Sequence, residues 1–162
     1  METHWKIDLM QLSLARLLQM NAIADSKVSI ILAIDTSMLF IEAVLTQRGA
    51  SAPGWVFASA AVAAICLLLS LLFLSFSALP RTSRTTSSVI FFGSIAANDA
   101  GTYARMVKGL TEEQYLDDLI QQCHRNAQIA STKYIWIQRA QVAWFASILP
   151  WLLTVYGIYR IL

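Results

Sequence analysis

Two acidic residues, Asp35 and Glu42, interrupt an otherwise apolar stretch at 28–45, VSIILAIDTSMLFIEAVL. A carboxylate at membrane depth costs about 2.5 to 3.5 kcal/mol, so each of them needs a partner, a neighbouring subunit or water. Seven residues apart, they fall on nearly the same side of a helix. This face is a candidate membrane face or oligomer interface, or the lining of an aqueous path. The alternative is that Glu42 lies near headgroups, Asp35 is protonated or hydrogen-bonded to a neighbouring helix, and both only fix packing.

The residue types that carry catalysis lack the spacing that catalysis needs. His4 and His124 stand alone, and no nucleophile elbow, phosphate-binding glycine loop or HExxH motif occurs. Cys66 lies in an apolar stretch and Cys123 in a polar one, so we expect neither a disulfide nor a metal site. Four acids suit the positive end of a helix better than acid-base chemistry: Glu112, Glu113, Asp117 and Asp118. The sequence therefore predicts no enzyme, no metal and no cofactor.

The longest apolar stretch, WVFASAAVAAICLLLSLLFLSFSAL at 55–79, contains no charged residue and no proline. At about 1.5 Å per residue it crosses a bilayer core of roughly 30 Å, so it predicts a transmembrane helix. The stretch at 28–45 and a third at 140–162, with Pro150 as a kink, predict two more spans. Charged residues make up 14% of the chain, against about 25% in soluble domains, which agrees with several spans.

The polar segments predict further helices joined to these spans. An amphipathic pattern at 8–27 runs unbroken into the first span and is expected to pack on other helices of the polar region. Thr111 and Gln114 form a capping-box pattern, so a long helix begins there and continues past Arg139 into the third span. A small helix is expected at 99–108, after an extended or loop segment that begins at Val89.

The predicted fold is an all-α membrane protein with three transmembrane helices. A cytoplasmic helical module is formed by extensions of the first and third spans. The predicted boundaries are a cytoplasmic amphipathic helix at 1–27, a transmembrane hairpin at 28–79, a cytoplasmic sensor region at 80–139 and the third transmembrane helix at 140–162.

The basic residues predict the orientation. Ten of the twelve Lys and Arg residues fall on one side of the three-span plan. They are Lys6, Arg16, Lys27, Arg81, Arg84, Arg105, Lys108, Arg125, Lys133 and Arg139. Because basic residues favour the cytoplasmic side, the N-terminus and the region 81–139 are expected there. A net charge of +2 gives no argument for nucleic acid as a partner.

Three sequence segments in order resemble one known family: ADSKVSIILAIDTSML at 24–39, FFGSIA at 91–96 and DDLIQQCHRNAQIASTKYIWIQRA at 117–140. They look like the transmembrane effectors of the bacterial Pycsar anti-phage system. The resemblance implies a multi-pass protein of the bacterial inner membrane that recognises cyclic UMP or cyclic CMP (cUMP or cCMP). A partner pyrimidine nucleotide cyclase would make this ligand on infection. The effector would then impair membrane integrity, so that the infected cell stops growing.

The positions that match the family pattern are Asp25, Lys27, Phe91, Phe92, Gly93, Asn126, Lys133 and Tyr134. Six of them are the predicted nucleotide-binding residues: Asp25, Lys27, Phe92, Asn126, Lys133 and Tyr134. Their chemistry suits Lys27 or Lys133 to the phosphate, Asn126 to a pyrimidine edge, and Phe92 or Tyr134 to base stacking. The expected pocket lies between the N-terminal helix and the helix that begins at Thr111. The alternative is structural: Asp25 and Lys27 mark the point where a helix enters the membrane, Lys133 pairs with Asp25 or faces lipid phosphates, and FFG forms a packed corner.

Three functions stay open from the sequence. The first is a nucleotide-gated, membrane-disrupting effector, expected to be a homo-oligomer because one three-span protomer cannot enclose a pore. The second is a passive membrane scaffold or assembly subunit. The third is a related defence membrane module that answers another nucleotide.

Overall fold

Five helices make up the part of the chain that the structure describes. The structure is a computed structural model and describes residues 2–49, 51–79 and 88–160. The helices are α1 Glu2–Arg48, α2 Gly54–Ala78, α3 Phe92–Ala97, α4 Ala100–Lys108 and α5 Glu112–Tyr159. Within these residues there is no strand, and α1, α2 and α5 are long and apolar enough to cross a membrane. The predicted all-α fold is confirmed. Two residues used to predict the orientation, Arg81 and Arg84, lie outside the described residues.

The starts of α4 and α5 follow from their capping residues. The Gln114 backbone N–H donates to Thr111 Oγ1 at 3.3 Å, and the Thr111 N–H donates to Gln114 Oε1 at 3.1 Å. This reciprocal pair is the predicted capping box, which satisfies two backbone donors at the start of α5. Asp99 Oδ1 accepts the N–H groups of Gly101 and Thr102 and so caps α4.

One local prediction is wrong. The segment after Val89 was expected to be extended or a loop, but Phe92–Ala97 forms the short helix α3. Ser88 Oγ accepts the backbone N–H groups of Ile90 and Phe91 at 3.2 and 3.0 Å, which closes a turn directly before this helix. A serine hydroxyl that satisfies free backbone donors stabilises such a turn in place of an extended chain.

The chain divides into two compact units. We call Met1–Ile23 with Pro80–Ser131 the polar unit, and Ala24–Leu79 with Thr132–Leu162 the span unit. Helices α1 and α5 each contribute residues to both units without a break.

In the polar unit, the first part of α1 packs on the first part of α5. Its buried residues are Ile7, Leu14, Leu119 and Cys123. Gln11 Nε2 donates to the Tyr115 hydroxyl at 3.0 Å, and Cys123 Sγ donates to the Met10 carbonyl at 3.4 Å. Burial raises the pKa of the Cys123 thiol, which keeps it protonated and able to donate. The expectation that the amphipathic N-terminal helix packs on other helices is confirmed.

In the span unit, α1, α2 and α5 form a bundle that packs like a coiled coil. The buried residues of α2 alternate between steps of three and four along the helix: Val56, Ala60, Ala63, Leu67, Ser70, Leu74 and Ser77. This spacing keeps one seam of the helix against its neighbours. One cluster of the bundle core consists of Ala24, Ile31, Leu74, Ile137 and Ala140. The outward faces carry large apolar side chains such as Phe40, Val142 and Leu149, as lipid contact requires.

The close contact between the start of α2 and the end of α5 gives the first prediction. A Cβ atom added at Gly157 would lie 2.6 Å from Val56 Cγ2 and 2.7 Å from Trp55 Cη2. Gly157→Val is therefore expected to destabilise the span unit by about 1 to 3 kcal/mol, the usual cost of overpacking. Gly54→Val is the matched control, since nothing lies within 4 Å of its Cβ position. Thermal unfolding in detergent, followed by circular dichroism, measures both variants, and equal midpoints would contradict the contact.

Candidate functional site

The two acidic residues of the first span lie inside the bundle. Asp35 is 0% exposed and Glu42 is 5% exposed in the single chain. None of their four carboxyl oxygens has a hydrogen-bond partner, and Ser70 Oγ also lacks one. Ser70 lies close to Asp35, but the geometry between the two side chains does not allow a hydrogen bond. The bundle therefore holds two buried carboxyl groups to which no described side chain or backbone group hydrogen-bonds.

Small polar side chains of the other two spans are buried in the same bundle. Ser147 and Thr154 of α5 are 0% and 1% exposed, and Thr154 shares a 2.9 Å hydrogen bond with Ser59 of α2. In each of α1, α2 and α5, two buried polar residues stand seven positions apart: Asp35 and Glu42, Ser70 and Ser77, and Ser147 and Thr154. Because a seven-residue step returns to the same face of a helix, each span presents a polar stripe to the interior.

The burial of Asp35 and Glu42 can be compared with the membrane face or oligomer interface predicted for them. Within one chain both side chains face the interior of the bundle, where water or a proton is the smallest group that could satisfy them. Their assignment to a membrane face or oligomer interface stays a prediction. A nearby hydrogen bond supports the alternative in which the two acids only fix packing. Trp151 Nε1 donates to the Met38 carbonyl at 3.2 Å and so joins α5 to α1.

Four of the predicted nucleotide contacts come together in the span unit, on α1 and α5. Lys133 Nζ lies 2.6 Å from Asp25 Oδ1, and the two form an ion pair. Lys27 Nζ lies 5.3 Å from the centre of the Tyr134 ring, a cation–π contact. We call Asp25, Lys27, Lys133 and Tyr134 the junction cluster. It contains two cations and one aromatic ring, which are the groups that bind a phosphate and a base.

The other two predicted contacts lie in the polar unit. Phe92 is 69% exposed, and its ring centre is 4.8 Å from that of Phe91. The Arg125 guanidinium lies over the other ring, that of Phe91, at 5.3 Å from the ring centre. Asn126 Nδ2 donates to the Gln122 carbonyl one turn back on its own helix. Phe92 thus presents a free aromatic face, whereas one amide donor of Asn126 is already used.

A polar network in the same unit was not predicted from the sequence. Asp118 Oδ2 accepts the Ser88 hydroxyl at 2.9 Å and the Val89 N–H at 3.0 Å. Buried Gln122 donates to Ser88 Oγ at 3.1 Å. Asp118 and Gln122 are four residues apart and share one face of α5, a spacing that a search for paired polar residues would have found. The network fastens the segment before α3 to α5, beside a cavity of about 360 Å³ lined in part by Asp118 and Ser88.

The part of the chain that the structure describes contains no candidate metal-binding site. No group of three or more His, Cys, Asp or Glu side chains comes together there. The candidate sites are therefore the polar interior of the bundle and the junction cluster.

Fold and site together define the class: an all-α transmembrane protein whose first and third spans extend into a helical polar unit. Residues 9–159 match the family described as the Pycsar effector protein domain, and the chain belongs to this family. No curated protein and no solved structure matches it. The family gives the chain the role of an effector in Pycsar anti-phage defence.

The unpaired carboxyl of Asp35 gives the second prediction. Asp35→Val removes a buried polar group with little change in volume, so it is expected to stabilise the bundle by up to about 3 kcal/mol. Ser37→Val is the matched control on the same helix, since Ser37 is exposed and its hydroxyl donates to the Ala33 carbonyl; its effect is expected to stay within roughly 0.5 kcal/mol. Thermal unfolding in detergent compares them. A lower midpoint for Asp35→Val would mean that the carboxyl has a stabilising partner.

Proposed function

We propose that this chain senses a cyclic pyrimidine nucleotide, cUMP or cCMP, and then impairs the integrity of the bacterial inner membrane. A pyrimidine nucleotide cyclase supplies the ligand, and the response stops the growth of the infected cell. The chain acts without catalysis and needs no cofactor besides the nucleotide. The observation that carries the proposal is the junction cluster, which places two lysines and a tyrosine on the two helices that continue into the membrane.

The junction cluster suits a singly charged cyclic phosphate. The ion pair between Lys133 and Asp25 is partly exposed, with 21% and 59% of the side chains accessible, and such pairs contribute only about 0 to 1 kcal/mol. A phosphate can therefore replace the Asp25 carboxylate at little cost. Lys27, two residues after Asp25 on α1, supplies the second cation, and the Tyr134 ring on α5 offers a face on which a pyrimidine stacks.

Ligand binding at this cluster would act on the bundle through α1 and α5. Asp25 is ten residues before Asp35 on α1, and both helices run through the cluster without a break. Exchange of Asp25 for a phosphate changes the contact between α1 and α5 at the start of the spans. Since the two helices are continuous there, a change in their contact moves the segments that surround the buried carboxyls.

The burial of the Asp35 and Glu42 carboxyl groups favours opening of the bundle. In the closed bundle Asp35 and Glu42 are without hydrogen-bond partners, whereas contact with water would satisfy them. The closed bundle therefore carries a cost that opening removes. A homo-oligomer of opened bundles, with the N-terminus in the cytoplasm, would form a hydrated lesion. The distribution of basic residues supports this orientation.

The third prediction concerns the ligand contacts. Lys27→Gln and Lys133→Gln are each expected to weaken binding of cUMP or cCMP roughly ten- to hundredfold, because a hydrogen bond to a charged group contributes about 1.5 to 3 kcal/mol. Lys108→Gln, at an exposed lysine of the polar unit, serves as the matched control and should bind normally. Isothermal titration calorimetry in detergent measures the dissociation constants. Unchanged affinity in both test variants would eliminate the junction cluster as the binding site.

The fourth prediction concerns the membrane. In cells that express the protein with an active cyclase, the wild-type chain is expected to depolarise the membrane. Asp35→Val is expected to abolish the effect, while Ser37→Val retains it. A voltage-sensitive dye and a growth curve measure the outcome, with protein level checked by immunoblot. If Asp35→Val depolarises cells as the wild type does, the carboxyl only fixes packing; if the wild type itself does not respond to either nucleotide, the scaffold function is favoured.

A further inference from the structure

An apolar groove of about 430 Å³ lies on the outer surface of the span unit, between α2 and α5. It is lined by Cys66, Leu69 and Phe73 of α2 and by Gln138, Arg139, Val142, Ala143 and Ala146 of α5. From Arg139 to Ala146 the helix rises about 10 Å, roughly a third of the bilayer core. The groove is therefore long enough to hold part of one acyl chain.

A single cation stands at one end of this groove. Arg139 is exposed and directly precedes the apolar segment of α5, which places it at the headgroup level. Its guanidinium lies 4.7 Å from the centre of the Trp136 ring, and Phe73 and Phe76 pack against the same ring at 5.9 and 5.0 Å. The aromatic contacts hold the guanidinium in position, and no carboxylate of the described residues forms an ion pair with it.

The span unit itself offers no carboxylate to Arg139. Its acidic residues are Asp25, Asp35 and Glu42. Asp25 pairs with Lys133, and the other two are buried in the bundle. The span unit of a second copy in the groove would bring the same three acids, two of them buried. A lipid phosphate can supply the anion, because guanidinium binds phosphate through two parallel hydrogen bonds.

We propose that the groove is a binding site for an anionic phospholipid. One acyl chain lies along Cys66, Leu69 and Phe73, and the headgroup phosphate binds Arg139. A net negative headgroup is favoured over a zwitterionic one because no acidic side chain is among the described residues that line the groove. This site is separate from the junction cluster and does not depend on the proposed nucleotide response.

The test compares two lipids by native mass spectrometry. The full-length protein is incubated with equal amounts of dioleoyl phosphatidylglycerol and dioleoyl phosphatidylcholine, and the lipids retained after release from the micelle are counted. The wild type is expected to retain phosphatidylglycerol preferentially. Arg139→Gln should reduce this preference roughly fivefold, while Arg160→Gln, at an exposed arginine beside Tyr156, should not change it.

A second pair of variants tests the groove itself. Ala146→Phe fills the exposed floor of the groove and should lower retention of both lipids, whereas Leu149→Phe, at an exposed position outside it, should not. Circular dichroism shows that each variant folds. Equal retention of the two lipids by the wild type, or a preference that Arg139→Gln leaves unchanged, would overturn the proposal. So would a protein dimer that Ala146→Phe dissociates without any change in bound lipid.

Discussion

The central constraint on this protein is the burial of two carboxyl groups inside a bundle of only three apolar helices. Asp35 and Glu42 face the interior, and no described side chain or backbone group hydrogen-bonds to their carboxyl oxygens. Tight coiled-coil packing around Leu67 and Leu74 offsets this cost in the closed bundle. In the proposed response, a modest change in the contact between helices opens the bundle, because water then reaches the two carboxyl groups.

Continuous helices connect this bundle to the polar unit. Helices α1 and α5 are 47 and 48 residues long and contribute to both units. Their contact in the polar unit rests on Leu119 and Cys123, while in the span unit it includes the ion pair of Lys133 with Asp25. An exposed ion pair is weak, so it is a suitable place for a competing anion to act. In the proposed nucleotide response, the phosphate replaces the Asp25 carboxylate in this weak ion pair, and no rigid pocket is needed.

The outer surface of the bundle has a different role. Its large apolar residues suit lipid contact, and the aromatic group around Trp136 fixes Arg139 at one level of the membrane. An anionic lipid held there would set the depth of α5 relative to the headgroups. In the two proposals, the interior polar stripes interact with water or protons, whereas Arg139 on the outer surface interacts with lipid.

The sequence by itself determined the three spans, the start of α5 at its capping box and the family, because apolar length, capping chemistry and motif order are local properties of the chain. It also identified Asp35 and Glu42 as unusual and offered the pairing of Lys133 with Asp25 as one alternative. The tertiary structure alone decided that both carboxyls face the bundle interior, that Ser88 and Asp118 form a network, and that Phe92–Ala97 is helical. The first two features depend on contacts between residues far apart in the chain, and the third on a turn closed by the Ser88 hydroxyl. Periodicity within one segment specifies neither.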